Sequence, residues 1–459
     1  MIKKLYNAIT NLPDDIVDEA GEPDQAIRID KPVRRKKRVR IYASLLAAGA
    51  ACVVIAAGVF YPQKSGEGNT SSNNALGEDG MAAPGYDQGL LLLNVNYPTA
   101  YSFNDNVERR ERIAQNPVSD EFYTSLSDFA YRTAGVLLAE NENTCISPVS
   151  LYYALAAASE GAEGTTQAEM LELLGAADKD ELAVQCHNLY NVLFCDNEVG
   201  SLIIKNCIRF AQGLDVREEY IERLADSFYA ESYSVGNELL SIINTIDFND
   251  EWEVQFDEKA TAAGMFYLSD GGTAEVDFMN AVLDGVFRRG DGYAGAELGL
   301  RNGGKMVFVL PDEGQDIHKL AGTAEGVAGL LNGGESFVGE VVWKLPKFSY
   351  SVETELKTAL NRLGLTECFM WGADFSGIVQ YDDANEGIFI DRVMQKTSIS
   401  VNENGVSASA YTKLDFDTGG VIVDGRAEMI LDRPFLYAVL NADGVVIFMG
   451  ICDNPELMQ

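Results

Sequence analysis

The segment from Glu403 to Thr418 is written as a β-strand but placed where a loop belongs. Taken alternately, Val406, Ala408, Ala410, Thr412, Leu414 and Phe416 form a small or apolar set. Ser407, Ser409, Tyr411, Lys413, Asp415 and Asp417 form a polar or amphipathic one. That period of two is the signature of a strand with one buried face. Val406, Ala408, Ala410 and Thr412 are all small or β-branched, so the strand suits a site with little spare room. The run that follows, 417–428, holds Gly419, Gly420 and Gly425 and reads as an exposed loop. A strand pattern carried by a loop predicts a strand that is inserted later.

The chain has 459 residues and a net charge of −35. Residues 1–40 hold ten Lys or Arg against seven Asp or Glu, so the remainder carries 25 basic and 63 acidic residues, a charge of −38. Such a surface repels nucleic acid and heparin-like polyanions, which demand clustered positive charge. Only two histidines occur, His187 and His318, far apart in sequence. A Ser-His-Asp triad or a zinc site therefore has little to draw on, and structural or surface roles are expected for both. The acidic residues show no calcium-loop spacing. No metal or cofactor is expected. Seven cysteines without a Cys-x-x-Cys pair read as buried thiols, although the sequence leaves a Cys186–Cys195 loop open.

Residues 41–60 contain no charge and would span roughly 30 Å as a helix, the thickness of a hydrocarbon core. A basic cluster, 34–40, precedes them, and no Lys or Arg follows until Lys64. The positive-inside rule then gives a short cytoplasmic segment (1–40), a transmembrane signal anchor (41–61) and an extracellular remainder. A cleaved leader is the alternative, which would leave a secreted protein. Residues 62–95, rich in Ser, Asn, Gly and Asp, read as a flexible linker.

From 96 to 459 the pattern is one large α+β unit. Ser147-Pro148 reads as a helix N-cap followed by Pro at the first helical position. The spacing predicts helices over 120–138, over a short stretch opened by the capping box Thr166-Gln167-Ala168-Glu169 and closed by Gly175, and over 354–363. Strand-like runs fall at 202–210, 275–279, 305–310, 339–345, 387–393, 421–423, 428–431, 435–440 and 445–449. Strands mixed with helices throughout argue against a βαβ repeat.

Several motifs stand in one collinear order: Asn143-Thr144-Cys145-Ile146-Ser147-Pro148-Val149-Ser150, Asn244 with Phe248, Trp252 and Phe256, and Leu345-Pro346-Lys347-Phe348. Asp374-Phe375-Ser376-Gly377, Asp432-Arg433-Pro434-Phe435 and Phe448-Met449-Gly450 continue it. Together they resemble the serpin family over about 96–455. The resemblance implies three β-sheets, eight or nine helices and an exposed reactive-centre loop, here about 403–428. It also implies a suicide-substrate inhibitor of serine proteases rather than an enzyme. The protease cleaves the loop, and the freed arm inserts into the central sheet while the enzyme stays covalently attached. One departure is plain: between Tyr229 and Ile243 the chain is too short for the family's helix across that sheet, and its Asn-x-Trp-Val marker is missing.

The family's loop hinge matches Glu403, Gly405, Ala408, Ala410 and Thr412, with Val406 in place of the usual Thr. Ser147, Ser150, Asn244 and Trp252 match positions where the sheet parts. Gln395 stands where relatives carry a His, so opening should depend less on pH. Counting forward from Glu403 puts the scissile bond at Gly419–Gly420, while counting back from Pro434 gives Val423–Asp424. Val421, Ile422 and Val423 would suit an elastase-like or subtilisin-like protease, and Arg426 a trypsin-like one. With its topology, the chain is expected to be a bacterial, membrane-anchored, monomeric member acting outside the cell. A non-inhibitory binding protein and a cell-surface scaffold are the rival readings.

Overall fold

A helix buried on every side organises the molecule. In the computed structural model, which describes residues 89–139, 142–236, 239–379, 387–406 and 425–456, Ser147 caps this helix and Pro148 begins it. The Ser147 hydroxyl accepts from the Ser150 N–H, and all residues from Pro148 through Ser159 are buried. A helix without a polar face belongs inside a fold. Its neighbours include strands of both sheets.

The helices in chain order are α1 (Asn106–Gln115), α2 (Asp120–Leu137), α3 (Pro148–Glu160), α4 (Gly164–Leu174) and α5 (Lys179–Leu193). They continue with α6 (Glu218–Phe228), α7 (Ile317–Leu320), α8 (Ala324–Asn332) and α9 (Lys357–Arg362). The strands begin with β1 (Leu90–Leu93), β2 (Thr144–Ile146), β3 (Cys195–Asp196), β4 (Ser201–Ala211), β5 (Ala230–Val235) and β6 (Leu240–Glu251). Next come β7 (Ala262–Tyr267), β8 (Thr273–Gly290), β9 (Tyr293–Gly299), β10 (Lys305–Pro311), β11 (Glu335–Pro346) and β12 (Phe348–Glu355). The last are β13 (Arg392–Val401), β14 (Gly405–Val406), β15 (Arg426–Ile430), β16 (Phe435–Leu440) and β17 (Val446–Cys452).

The central sheet has the order β1-β5-β4-β6-β14-β13-β12, with β3 on β4 and a direct β6–β13 pairing. The second sheet runs β15-β11-β8-β9-β10-β16-β17-β2, with β7 on β8. Hydrogen bonding among the described residues thus draws two sheets where three were expected. The cause is β8, whose 18 residues pair with β7 at one end, β11 along most of their length and β9 at the other end. Only 236–239 connect β5 to β6. Four residues reach about 6 Å as a helix, so this connection supplies no helical cover to the central sheet.

Three local expectations need correction. Thr166 does not cap a helix, because α4 starts earlier. Its hydroxyl instead accepts from the Asp374 N–H, and Glu169 accepts from the N–H groups of Thr366 and Glu367. The helix expected over 354–363 is shorter, because β12 continues to Glu355 in register with β13. The strand expected over 387–393 begins only at Arg392. Among the described residues no helix is long and apolar enough to cross a membrane, and the run 41–61 lies outside them.

Candidate functional site

The central sheet is only partly closed between β6 and β13. The two pair in parallel from Ser241 opposite Arg392 to Thr245 opposite Lys396. At the upper end β14 lies between them, with Gly405 opposite Glu251, Val406 opposite Asp250, and Val401 opposite Val406. Val406 is 2% exposed. The hinge has therefore already entered the sheet at Gly405 and Val406. Gly405 is required there, since a Cβ would lie 2.2 Å from the Asp250 carbonyl oxygen.

At the start of the hinge, Glu403 is pinned. Lys347 Nζ lies 3.0 Å from Oε2 and 3.2 Å from Oε1, and Thr261 Oγ1 donates to Oε1 at 2.8 Å. Burial works against the Glu403 carboxylate, but the Thr261 hydrogen bond and the Lys347 ammonium outweigh it and hold the group below its usual range. Trp252, buried, donates its backbone N–H to the Asn404 carbonyl and its indole N–H to the Asn402 carbonyl, both at 2.9 Å. Phe256 N–H donates to the Glu403 carbonyl at 3.0 Å. Trp252 thus holds the backbone from which the loop departs.

Below the hinge, where β6 and β13 still pair, a polar cluster is buried. Gln395 Nε2 donates to Asn244 Oδ1 at 2.7 Å and to the Ser147 carbonyl at 3.0 Å, and Oε1 accepts from the Ser147 N–H at 2.9 Å. Asn244 Nδ2 lies 2.6 Å from each of the Ser150 carbonyl, Ser150 Oγ and Asn206 Oδ1. Ser147, Ser150, Asn244 and Gln395 are thus brought together by α3, β6 and β13, and Trp252 sits at the other end of β6. None of the four cluster residues titrates near neutrality. Parting β6 from β13 breaks the Gln395–Asn244 contact.

Ala408, Ala410, Thr412, Gly419, Gly420, Val421, Ile422, Val423 and Asp424 lie outside the described residues. Arg426 falls in β15, paired in parallel with β11, and its guanidinium lies 2.8 Å from Glu340. Three residues of the site escaped the sequence reading: Thr261, Lys347 as the partner of Glu403, and Asn206. Asn206 did leave a signal, a polar residue on the inward phase of Leu202, Ile204, Ile208 and Phe210.

Among the described residues no group of three or more His, Cys, Asp or Glu is arranged to hold a metal. Cys186 and Cys195 are both free thiols, which closes the disulfide alternative. His187 is half-buried and meets the Asp226 carbonyl at 2.8 Å, while His318 is buried between the Leu138 carbonyl and Asp453.

The family model described as "Serpin (serine protease inhibitor)" matches residues 124–238 and 235–455. Intracellular coagulation inhibitor 2 of Tachypleus tridentatus is 24% identical over 411 residues, covering 79% of this chain and 96% of its own. Serpin-Z2A of Triticum aestivum is 26% identical over 380 residues, covering 71% and 94%. Among solved structures, the thermophilic serpin tengpin in its native state aligns with a TM-score of 0.66 at 22% identity, over 80% of this chain and 99% of its own. Human thyroxine-binding globulin complexed with thyroxine aligns at 0.63 and 21% identity, over 73% and 98%.

Proposed function

The chain belongs to the serpin family, and from that premise we propose that it is a suicide-substrate inhibitor of extracellular serine proteases. One observation carries this reading, the register of β14 on β6. Gly405 opposite Glu251 and Val406 opposite Asp250 set an antiparallel phase. Continued along the sequence, that phase puts Ala408 opposite Phe248, Ala410 opposite Ile246, Thr412 opposite Asn244, Leu414 opposite Ile242 and Phe416 opposite Leu240. The small or apolar set of the loop thereby meets the inward set of β6, and the arm 405–416 has the length of β6 itself. Directly opposed residues share a face, so every inward side chain of the arm would reach the core. A one-residue slip would turn them all outward.

The chemistry begins in the protease. Its serine oxygen forms a bond to the scissile carbonyl carbon, the C–N bond breaks, and the proton passes to the amine of the departing C-terminal fragment. The acyl-enzyme remains on the arm, and insertion between β6 and β13 draws it along the sheet before water can release it. Arg426 is held in a strand and paired with Glu340, which a protease cleft cannot engage without unpairing β15. The aliphatic run Val421, Ile422 and Val423 is the better bait, and it points to an elastase-like or subtilisin-like enzyme.

Export and tethering through 41–61 belong to the same proposal and rest on the charge asymmetry around that run. Recovery of the protein from the cytoplasm would contradict them. Mixing the full chain with elastase-like and trypsin-like proteases tests the central reading. A covalent complex that survives SDS supports trapping. Simple cleavage supports a non-inhibitory relative, and no reaction leaves a surface scaffold.

A further inference from the structure

The hinge opens on Glu403-Asn404-Gly405. An Asn followed by Gly is the step at which a chain most readily attacks its own side chain, because glycine puts no Cβ in the way. Three such steps occur, at 302–303, 332–333 and 404–405. Hydrogen bonds restrain the first two. Asn302 Nδ2 donates to Asp250, its Oδ1 accepts from Asn197 Nδ2, and the Gly303 N–H donates to the Leu300 carbonyl at 3.0 Å. Asn332 Nδ2 donates to Tyr131 Oη at 2.8 Å, and the Gly333 N–H donates to the Gly329 carbonyl at 2.8 Å. The third step lacks these restraints. The half-buried Asn404 uses its backbone N–H on Asn402 Oδ1, and its carboxamide has no hydrogen-bond partner among the described residues. The bond from the Trp252 N–H to the Asn404 carbonyl makes Gly405 and Glu251 a non-hydrogen-bonded pair, so the Gly405 N–H is turned away from β6. On its other side Asn402 spends its carbonyl on the Trp252 indole.

We propose that Asn404–Gly405 is a site of spontaneous deamidation, and that its product retires the loop with age. The Gly405 amide nitrogen bonds to Asn404 Cγ, and the Cγ–Nδ2 bond breaks. The Gly405 proton, relayed by water, leaves with that nitrogen as ammonia. Water then opens the succinimide ring. Opening at Cγ gives aspartate, while opening at the main-chain carbonyl gives isoaspartate, in which the chain runs through Cβ. Isoaspartate thus adds one carbon to the main chain between two fixed points. Glu403 is held by Lys347 and Thr261 and, through its carbonyl, by the Phe256 N–H. Gly405 is held against β6, where even a Cβ would lie 2.2 Å from the Asp250 carbonyl oxygen. The extra carbon has no room there, so Val406 loses its place opposite Asp250. An arm that enters out of phase turns its small side chains outward. The loss of trapping rests on the proposed inhibitory reading, whereas the reaction itself does not.

The test holds the full chain at mildly alkaline pH and physiological temperature and maps its peptides by mass spectrometry over time. Isoaspartate is scored by isoaspartyl methyltransferase labelling. Asn404 should convert about tenfold or more faster than Asn302 and Asn332, whose hydrogen bonds must open first. Conversion of all three at one rate would overturn the site. So would an unchanged Asn404 in the folded chain under conditions in which the urea-unfolded chain converts. In a second arm, the aged chain is mixed with protease, and the SDS-stable complex is separated from the cleaved, released chain. Isoaspartate at 404 should be enriched severalfold in the released chain over the complex. Equal isoaspartate in the two fractions would overturn the effect on the loop. If the fresh chain forms no complex with any protease, the inhibitory reading fails, while the peptide map still decides the site.

Discussion

Replacing Val406 with Glu should convert the protein from a trap into a substrate. Val406 is 2% exposed, lies between Asp250 and Val401, and is the first side chain of the loop to enter the sheet. Removing its apolar burial costs about 1.5–3 kcal/mol. A carboxylate in its place would face Asp250 on the same side of the sheet, at a cost of several kcal/mol more. A penalty on the order of 4 kcal/mol at the first step of insertion slows that step about 10³-fold. Hydrolysis of the acyl-enzyme then overtakes insertion, releasing active protease and cleaved inhibitor. The assay is the yield of SDS-stable complex together with residual protease activity. Val406→Thr, small and β-branched, should retain the complex. Equal complex yield from Val406→Glu and the parent chain would refute the claim that entry at this position starts insertion.

Two further outcomes follow from the same geometry. Gln395→Ala removes contacts to the Ser147 N–H, the Ser147 carbonyl and Asn244 Oδ1. It should lower the urea midpoint by an amount equivalent to roughly 3 kcal/mol, with no pH dependence between 6 and 8. Gln395→His should instead bring a midpoint whose difference from that of the parent changes with pH in that interval. The Glu403 carboxyl is held below its usual value in the folded state, so the stability it contributes is present above the unfolded value of about 4.3 and is lost as pH falls through the folded one. Lys347→Met should reduce this acid-limb contribution, the Thr261 hydrogen bond remaining, read as a flatter stability profile below about pH 4.5.

What could be read from the sequence was whatever is coded locally. Ser147-Pro148 specifies its own helix start because cap and first turn are adjacent in the chain. The loop's alternation is likewise a property of consecutive residues. The capping box at Thr166 was misleading because Asp374, Thr366 and Glu367, more than 190 positions away, claim those side chains. The extension of β12 to Glu355 was hidden for the same reason: its partner β13 decides the boundary. Lys347 belonged to a recognisable motif, yet nothing in the motif said that Glu403 would be its partner. Thr261 left no signal, since a single hydroxyl beside a strand is commonplace. The early entry of Val406 was equally invisible, because it depends on how far β6 and β13 diverge above Thr245 and Lys396.

The most direct measurement compares the thermal midpoint of the intact protein with that of the same protein cut within 419–424. Ten more residues in the sheet, 407–416, gain ladder hydrogen bonds at about 0.5–1.5 kcal/mol each, and Leu414 and Phe416 gain about 1.5–3 kcal/mol each. A stabilisation on the order of 10 kcal/mol raises the midpoint of a domain this large by about 10 °C or more. A rise of that size is the result expected if the cleaved arm completes the central sheet. A midpoint that stays the same or falls after cleavage would contradict it.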